Sequence, residues 1–145
     1  MPIDAVVADA NVLLSAVVGK AALRVIAEHR VTVHATEFNA GEVEEYLPLL
    51  SAKYGLPEDL VQLQWRLLPV VLHAEPEYAE RLSEALEQLR DRDPEDVHAL
   101  ALAWALGLPL WSNDRDFEGQ AVERYTTARL LRALEAWRAE EPRVP

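Results

Sequence analysis

Four acidic residues stand where a carboxylate has no obvious housekeeping use: Asp9, Glu42, Asp96 and Asp114. Asp9 follows the apolar run Ala5-Val6-Val7-Ala8, which reads as a buried strand. Asp114 follows a second apolar run, Leu108 to Trp111, within Trp111-Ser112-Asn113-Asp114-Arg115-Asp116-Phe117. Sites in open parallel sheets form beyond the carboxyl ends of the strands. If these two strands are neighbours, both carboxylates meet at one edge. Asp9 could instead cap the next helix, but Asn11 offers itself as that cap, which leaves Asp9 without a structural duty.

Glu42 and Asp96 lie on predicted helices. In a helix over Glu37–Tyr54, Glu42 shares a stripe with Phe38, Tyr46 and Leu49 beside the apolar stripe Val43, Leu47, Leu50 and Tyr54. A carboxylate set among apolar neighbours needs a cationic partner, which an arginine or a metal ion can supply. Asp93-Pro94 is a helix start with Asp93 as its cap. Asp96 then either completes a capping box or projects as a ligand from the positive end of a buried helix.

Together the four acids are more informative than singly. Two like charges 4 Å apart repel by about 4 kcal/mol at an effective dielectric of 20. Divalent cations, or protonation of some members, stabilise such a group. All-oxygen donors favour Mg²⁺ or Mn²⁺, and carboxylate-held Mg²⁺ serves phosphate chemistry. Other chemistries find little support. The histidines His29, His34, His73 and His98 lack zinc spacing, cysteine is absent, and five glycines form no phosphate-binding loop.

The elements that must position these acids alternate between strand and helix. Strands are expected at Ala5–Ala8, Val31–His34, Val70–Leu72, Leu108–Trp111 and Val122–Tyr125. Helices are expected at Val12–Val18, Ala21–His29, Glu37–Tyr54 with Thr36 as cap and Gly55 as stop, and Glu58–Leu68. Three more follow. Glu77–Arg90 carries Tyr78, Leu82, Leu86 and Leu89 on its inner side. A nearly all-apolar helix follows Asp93. The last, Thr127–Arg138, turns Leu130, Leu131, Leu134 and Trp137 inward. The alternation predicts an α/β fold: a three-layer α/β/α sandwich around a central, mostly parallel sheet. At 145 residues the chain suits a single domain, 1–139, with a frayed tail at 140–145.

Composition narrows the setting. Half the residues are hydrophobic, which excludes wholesale disorder. The absence of cysteine suits a reducing cytoplasm. No apolar run is long enough to span a membrane, and the N-terminus does not read as a signal peptide. A net charge of −11 argues against a broad electrostatic grip on nucleic acid, although cation-loaded carboxylates can still act on a polyanion.

The ordered segments Val7-Ala8-Asp9-Ala10-Asn11-Val12-Leu13, Gly41-Glu42-Val43-Glu44-Glu45-Tyr46-Leu47, Asp93-Pro94-Glu95-Asp96-Val97-His98-Ala99-Leu100-Ala101-Leu102-Ala103 and Ser112-Asn113-Asp114-Arg115-Asp116-Phe117 resemble the PIN-domain ribonuclease family. The resemblance covers nearly the whole chain. It implies a metal-dependent endonuclease acting on single-stranded RNA, with Asp9, Glu42, Asp96 and Asp114 as catalytic and Mg²⁺- or Mn²⁺-binding acids. It implies ordering roles for Asn11 and Ser112. Doubled acids leave Asp93 beside Asp96, and Asp116 beside Asp114, as further candidates. Arg115 could contact phosphate or form a surface ion pair. Many such proteins resemble toxins of toxin–antitoxin pairs and form homodimers, so a second copy and an antitoxin are the implied partners. Two other readings are a non-catalytic PIN-like binding module and a phosphatase using Asp9 as nucleophile. For the phosphatase, Asn11 stands where the second acid should be, and Lys20 and Lys53 are the only lysines.

Overall fold

The computed structural model describes residues 3–89, 96–115 and 122–140. Five strands form one sheet in the order β3-β2-β1-β4-β5: β1 (Ala5–Ala8), β2 (Thr32–Thr36), β3 (Val70–His73), β4 (Leu110–Trp111) and β5 (Arg124–Tyr125). Every pairing is parallel, with Val6 opposite Val33 and Val7 opposite Leu110. The sheet grows outward from β1 in one direction, then returns to add β4 and β5 on the other side. That reversal places a crevice between the carboxyl ends of β1 and β4.

Among the described residues seven helices cover the sheet: α1 (Ala10–Val17), α2 (Ala21–Glu28), α3 (Glu37–Tyr54), α4 (Glu58–Leu67), α5 (Ala79–Gln88), α6 (Val97–Leu106) and α7 (Thr127–Glu140). Side chains alternate across a strand, so the sheet feeds two cores. Val6, Ala8, Val33, Ala35 and Trp111 pack with α1 to α4 and α7. Val7 and Leu110 pack with α5 and α6 on the opposite face. This is the expected three-layer α/β/α sandwich. Helix α6 is buried on most of its circumference, as its composition requires. Among the described residues no single helix is long and apolar enough to cross a membrane.

Several local expectations need correction. Asp9, not Asn11, caps α1: its carboxylate accepts from the Val12 amide at 2.9 Å. Capping reaches the amide three residues on, and the helix already begins at Ala10, which puts Asn11 inside it. The stripe Phe38, Tyr46 and Leu49 faces solvent, so Glu42 borders a cleft and is not set in the core. Leu86 and Trp137 are exposed, whereas Ala85 fills the place expected of a larger side chain in α5. A 3₁₀ turn over Glu75–Glu77 precedes α5, which starts at Ala79. Helix α3 runs from Thr36 as cap to Gly55 as stop, as expected. Gly55 adopts the left-handed conformation with φ 63°. The expected tail, 140–145, lies almost wholly outside the described residues.

Candidate functional site: an acidic cleft at the sheet's carboxyl edge

The crevice between β1 and β4 opens into a cleft of about 290 Å³. Asp9, Glu42, Asp96 and Asp114 all line it, together with Asn11, Asn39 and Tyr46. The acids arrive from four places: the end of β1, the second turn of α3, the residue before α6, and the loop after β4.

Asp9 is held at both oxygens. Oδ1 accepts from the Val12 amide at 2.9 Å and Oδ2 accepts from the Ser112 hydroxyl. The carboxyl group is 5% exposed. Burial pushes its pKa above the ordinary value. The Ser112 and Val12 hydrogen bonds oppose that shift, and the charge of Asp114 adds to it.

The loop after β4 is fixed from three sides. The Asp114 amide donates to Ser112 Oγ at 3.0 Å, so one hydroxyl ties both acids together. Arg124 donates to the carbonyls of Ser112 at 3.4 Å and Asp114 at 3.2 Å. Asn113 Oδ1 accepts from the Thr127 amide at 2.8 Å, and Trp111 Nε1 donates to the Thr127 hydroxyl at 3.0 Å. The start of α7 therefore anchors this loop.

Glu42 is oriented through a chain that starts at the cap of α3. The Asn39 amide donates to Thr36 Oγ1 at 2.9 Å, the Thr36 hydroxyl donates to Asn39 Oδ1 at 2.9 Å, and Asn39 Nδ2 donates to Glu42 Oε1 at 2.6 Å. Thr36 and Asn39 are buried. Asn39 was not singled out in the sequence, although it lies three residues from both Thr36 and Glu42, the spacing of helix neighbours. Arg124 was likewise missed, because its role depends on β5 lying beside β4.

Asp96 occupies the cap position of α6 without making a side-chain cap hydrogen bond to that helix, and the capping box with Asp93 lies outside the described residues. Its carboxyl group faces the cleft. Arg115 is exposed and does not line the cleft. Asp93 and Asp116 lie outside the described residues.

Among the described residues, no three Asp, Glu or His side chains are drawn together as a ready-made metal cage. The donor chemistry nevertheless fits a hard divalent cation. The cleft is lined by carboxylate and amide groups with no imidazole or sulfur. A cation there would also offset the repulsion between Asp9 and Asp114, which adds to the effect of burial on the Asp9 carboxyl group.

A parallel α/β sandwich with converging acids at its switch point defines a class of fold and site. This chain belongs to the PIN domain family, which its sequence matches over residues 7–135. No curated protein matches the sequence. Among solved structures, the chain is similar to PAE2754 from Pyrobaculum aerophilum, with 17% identity and a TM-score of 0.68 over 92% of this chain and 90% of that one. It is also similar to a toxin–antitoxin complex from Klebsiella pneumoniae, at 17% identity and a TM-score of 0.58 over 84% of this chain and 97% of that one. A third similar structure is VapBC2 from Rickettsia felis, bound to a DNA fragment from its promoter, with 14% identity and a TM-score of 0.59 over 84% of this chain and 98% of that one.

Proposed function

We propose that this protein is a Mg²⁺- or Mn²⁺-dependent endoribonuclease that hydrolyses phosphodiester bonds of single-stranded RNA, acting as the toxin of a toxin–antitoxin pair. The observation that carries the reading is the convergence of Asp9, Glu42, Asp96 and Asp114, from four separate elements, on one cleft. Membership of the PIN domain family supports it, and so does the likeness of the fold to a toxin–antitoxin complex.

In this reading Asp9, Asp96 and Asp114 hold the cation and Glu42 stands beside them. When bound, the cation supplies Lewis acidity that makes water easier to deprotonate and offsets charge developing on the phosphoryl group. Ser112 holds Asp9 in its rotamer and ties it to the Asp114 backbone. Asn39 fixes the orientation of the Glu42 carboxylate through the oxygen that it contacts. The implied partners are RNA, a second copy of the chain and an antitoxin protein, with the cytoplasm as the setting.

Incubation of a mixed single-stranded RNA pool with Mn²⁺, with Mg²⁺ and with EDTA, in parallel with the Asp96→Asn variant, tests the proposal. Cutting by the native protein that disappears in EDTA and in the variant is the expected result. Cutting that persists in both overturns the metal mechanism. Metal binding without cutting of RNA favours the non-catalytic binding module instead.

A further inference from the structure

The chain has only two lysines, and both reach the same side chain. Lys20 Nζ lies 5.1 Å from the centre of the Tyr54 ring and Lys53 Nζ lies 5.4 Å from it. Lys20 comes from the turn between α1 and α2, and Lys53 and Tyr54 end α3. Both lysines are exposed, and Tyr54 is 37% exposed. The tyrosine hydroxyl is made more acidic by its hydrogen bond to Lys20 and by the two ammonium charges. In a chain of net charge −11, this is a concentrated positive spot.

Its position relative to the cleft follows from helix geometry. On α3, Glu42, Tyr46, Leu49 and Lys53 are spaced i, i+4, i+7 and i+11, which puts them on one face. Tyr46 lines the cleft and is 49% exposed, and Leu49 is exposed beyond it. Eleven residues rise roughly 16 Å along a helix, which matches about five stacked nucleotides at roughly 3.4 Å each. Helix α1 packs beside α3 and runs the same way, from Asp9 at the cleft to Lys20 beyond its other end.

We propose that Lys20 and Lys53 form a clamp for the phosphate backbone of single-stranded RNA, about five nucleotides from the acidic cleft along the exposed face of α3. The clamp rests on the ribonuclease reading for the identity of its ligand. It supplies the attraction for a polyanion that the acidic cleft cannot. Tyr46 and Leu49 provide apolar surface along the path, and aromatic faces accept bases of any sequence.

The test is fluorescence anisotropy of labelled oligouridylates of about 4 and about 12 nucleotides, in Ca²⁺, with the oligomers confirmed intact by gel. The proteins are the native chain and the double variants Lys20→Gln/Lys53→Gln and Lys20→Arg/Lys53→Arg. The native chain is expected to bind the longer oligomer about tenfold more tightly than the shorter. The glutamine pair loses that advantage, and its salt dependence flattens by about 1.4 in the log–log slope, because each phosphate contact contributes about 0.7. The arginine pair keeps both. Native-like binding by the glutamine pair, or no binding of either oligomer by the native chain, overturns the clamp. Equal competition by an oligoglutamate of matched charge overturns the assignment to RNA. Lysine-dependent binding without cutting in Mg²⁺ or Mn²⁺ sinks the nuclease reading and leaves the clamp standing. Cutting with lysine-independent binding does the reverse.

Discussion

Ser112 donates its hydroxyl to Asp9 across the β1–β4 boundary, while the same oxygen accepts the Asp114 amide at 3.0 Å. One small side chain thus fixes the spacing of two acids that repel each other. Ser112→Ala removes that link, while Asp9 keeps its bond from the Val12 amide and the loop keeps its anchors at Arg124 and Thr127. The expected loss is about 1 kcal/mol of stability and a larger effect on turnover, roughly tenfold or more. Thermal melts and initial rates at saturating RNA distinguish the two. Equal, small effects on both would show that Ser112 is a packing residue only.

Asp9 performs two tasks that substitution separates. Asn is as good a helix cap as Asp, and it carries no charge to bury. A raised folded pKa means that Asp9 contributes stability below its unfolded pKa and loses it as pH rises through the folded value. At neutral pH without metal, Asp9→Asn is therefore expected to raise the melting temperature by a few degrees and to abolish cleavage. Asp9→Ala also abolishes cleavage, but lowers stability by about 1 kcal/mol through loss of the cap. Melts in EDTA supply the comparison, and destabilisation by Asn would contradict it.

The second predicted pH response lies away from the cleft. His34 Nδ1 and His73 Nε2 are 2.8 Å apart, and His73 Nδ1 is 3.0 Å from Glu77 Oε1. One imidazole nitrogen at the shared contact must donate and the other accept. Burial, and then the neighbouring His73, lower the pKa of His34. Its neutral form is favoured in the folded state, so the stability it contributes is complete above its unfolded pKa and is lost as pH falls through the folded value. The melting temperature is expected to fall by a few degrees between about pH 7 and pH 5, with a shallower fall in His34→Gln. Parallel curves for the two proteins would remove His34 as the cause.

Tyr46 lines the cleft one helical turn beyond Glu42. Tyr46→Ala is expected to raise KM for RNA by roughly tenfold, within the range of one lost base stack. Stability should shift by less than about 0.5 kcal/mol, since half the side chain is exposed. A fall in kcat at constant KM would instead place Tyr46 in the chemistry.

Much of the fold was readable because its signals are local. Thr36 and Gly55 bound α3 as cap and stop, and β1 stands out as a short apolar run. The acids were readable as candidates for the same reason, and the parallel pairing of β1 with β4 brings Asp9 and Asp114 to one edge. What could not be read depends on partners distant in sequence. Apolar periodicity marks an amphipathic face, but Leu86 and Trp137 show that it does not say which members are covered. Phe38 was expected near the core, yet it lies on the open side of α3 and stacks on His98, 3.9 Å between ring centres. The anchoring of the β4 loop by Arg124 and Thr127 likewise requires β5 and α7 to be placed first.

The strand register has a consequence for the order of assembly. Val7 meets Leu110, roughly a hundred residues later in the chain. Until β4 has been made, β1, β2 and β3 can pair, but one edge of β1 has no neighbour and Asp9 lacks Ser112. A growing chain thus holds its first acid long before it can hold the last. The cleft takes shape only after β4 and the loop that follows it have been made, because that loop supplies both the partner of the first acid and the last acid itself.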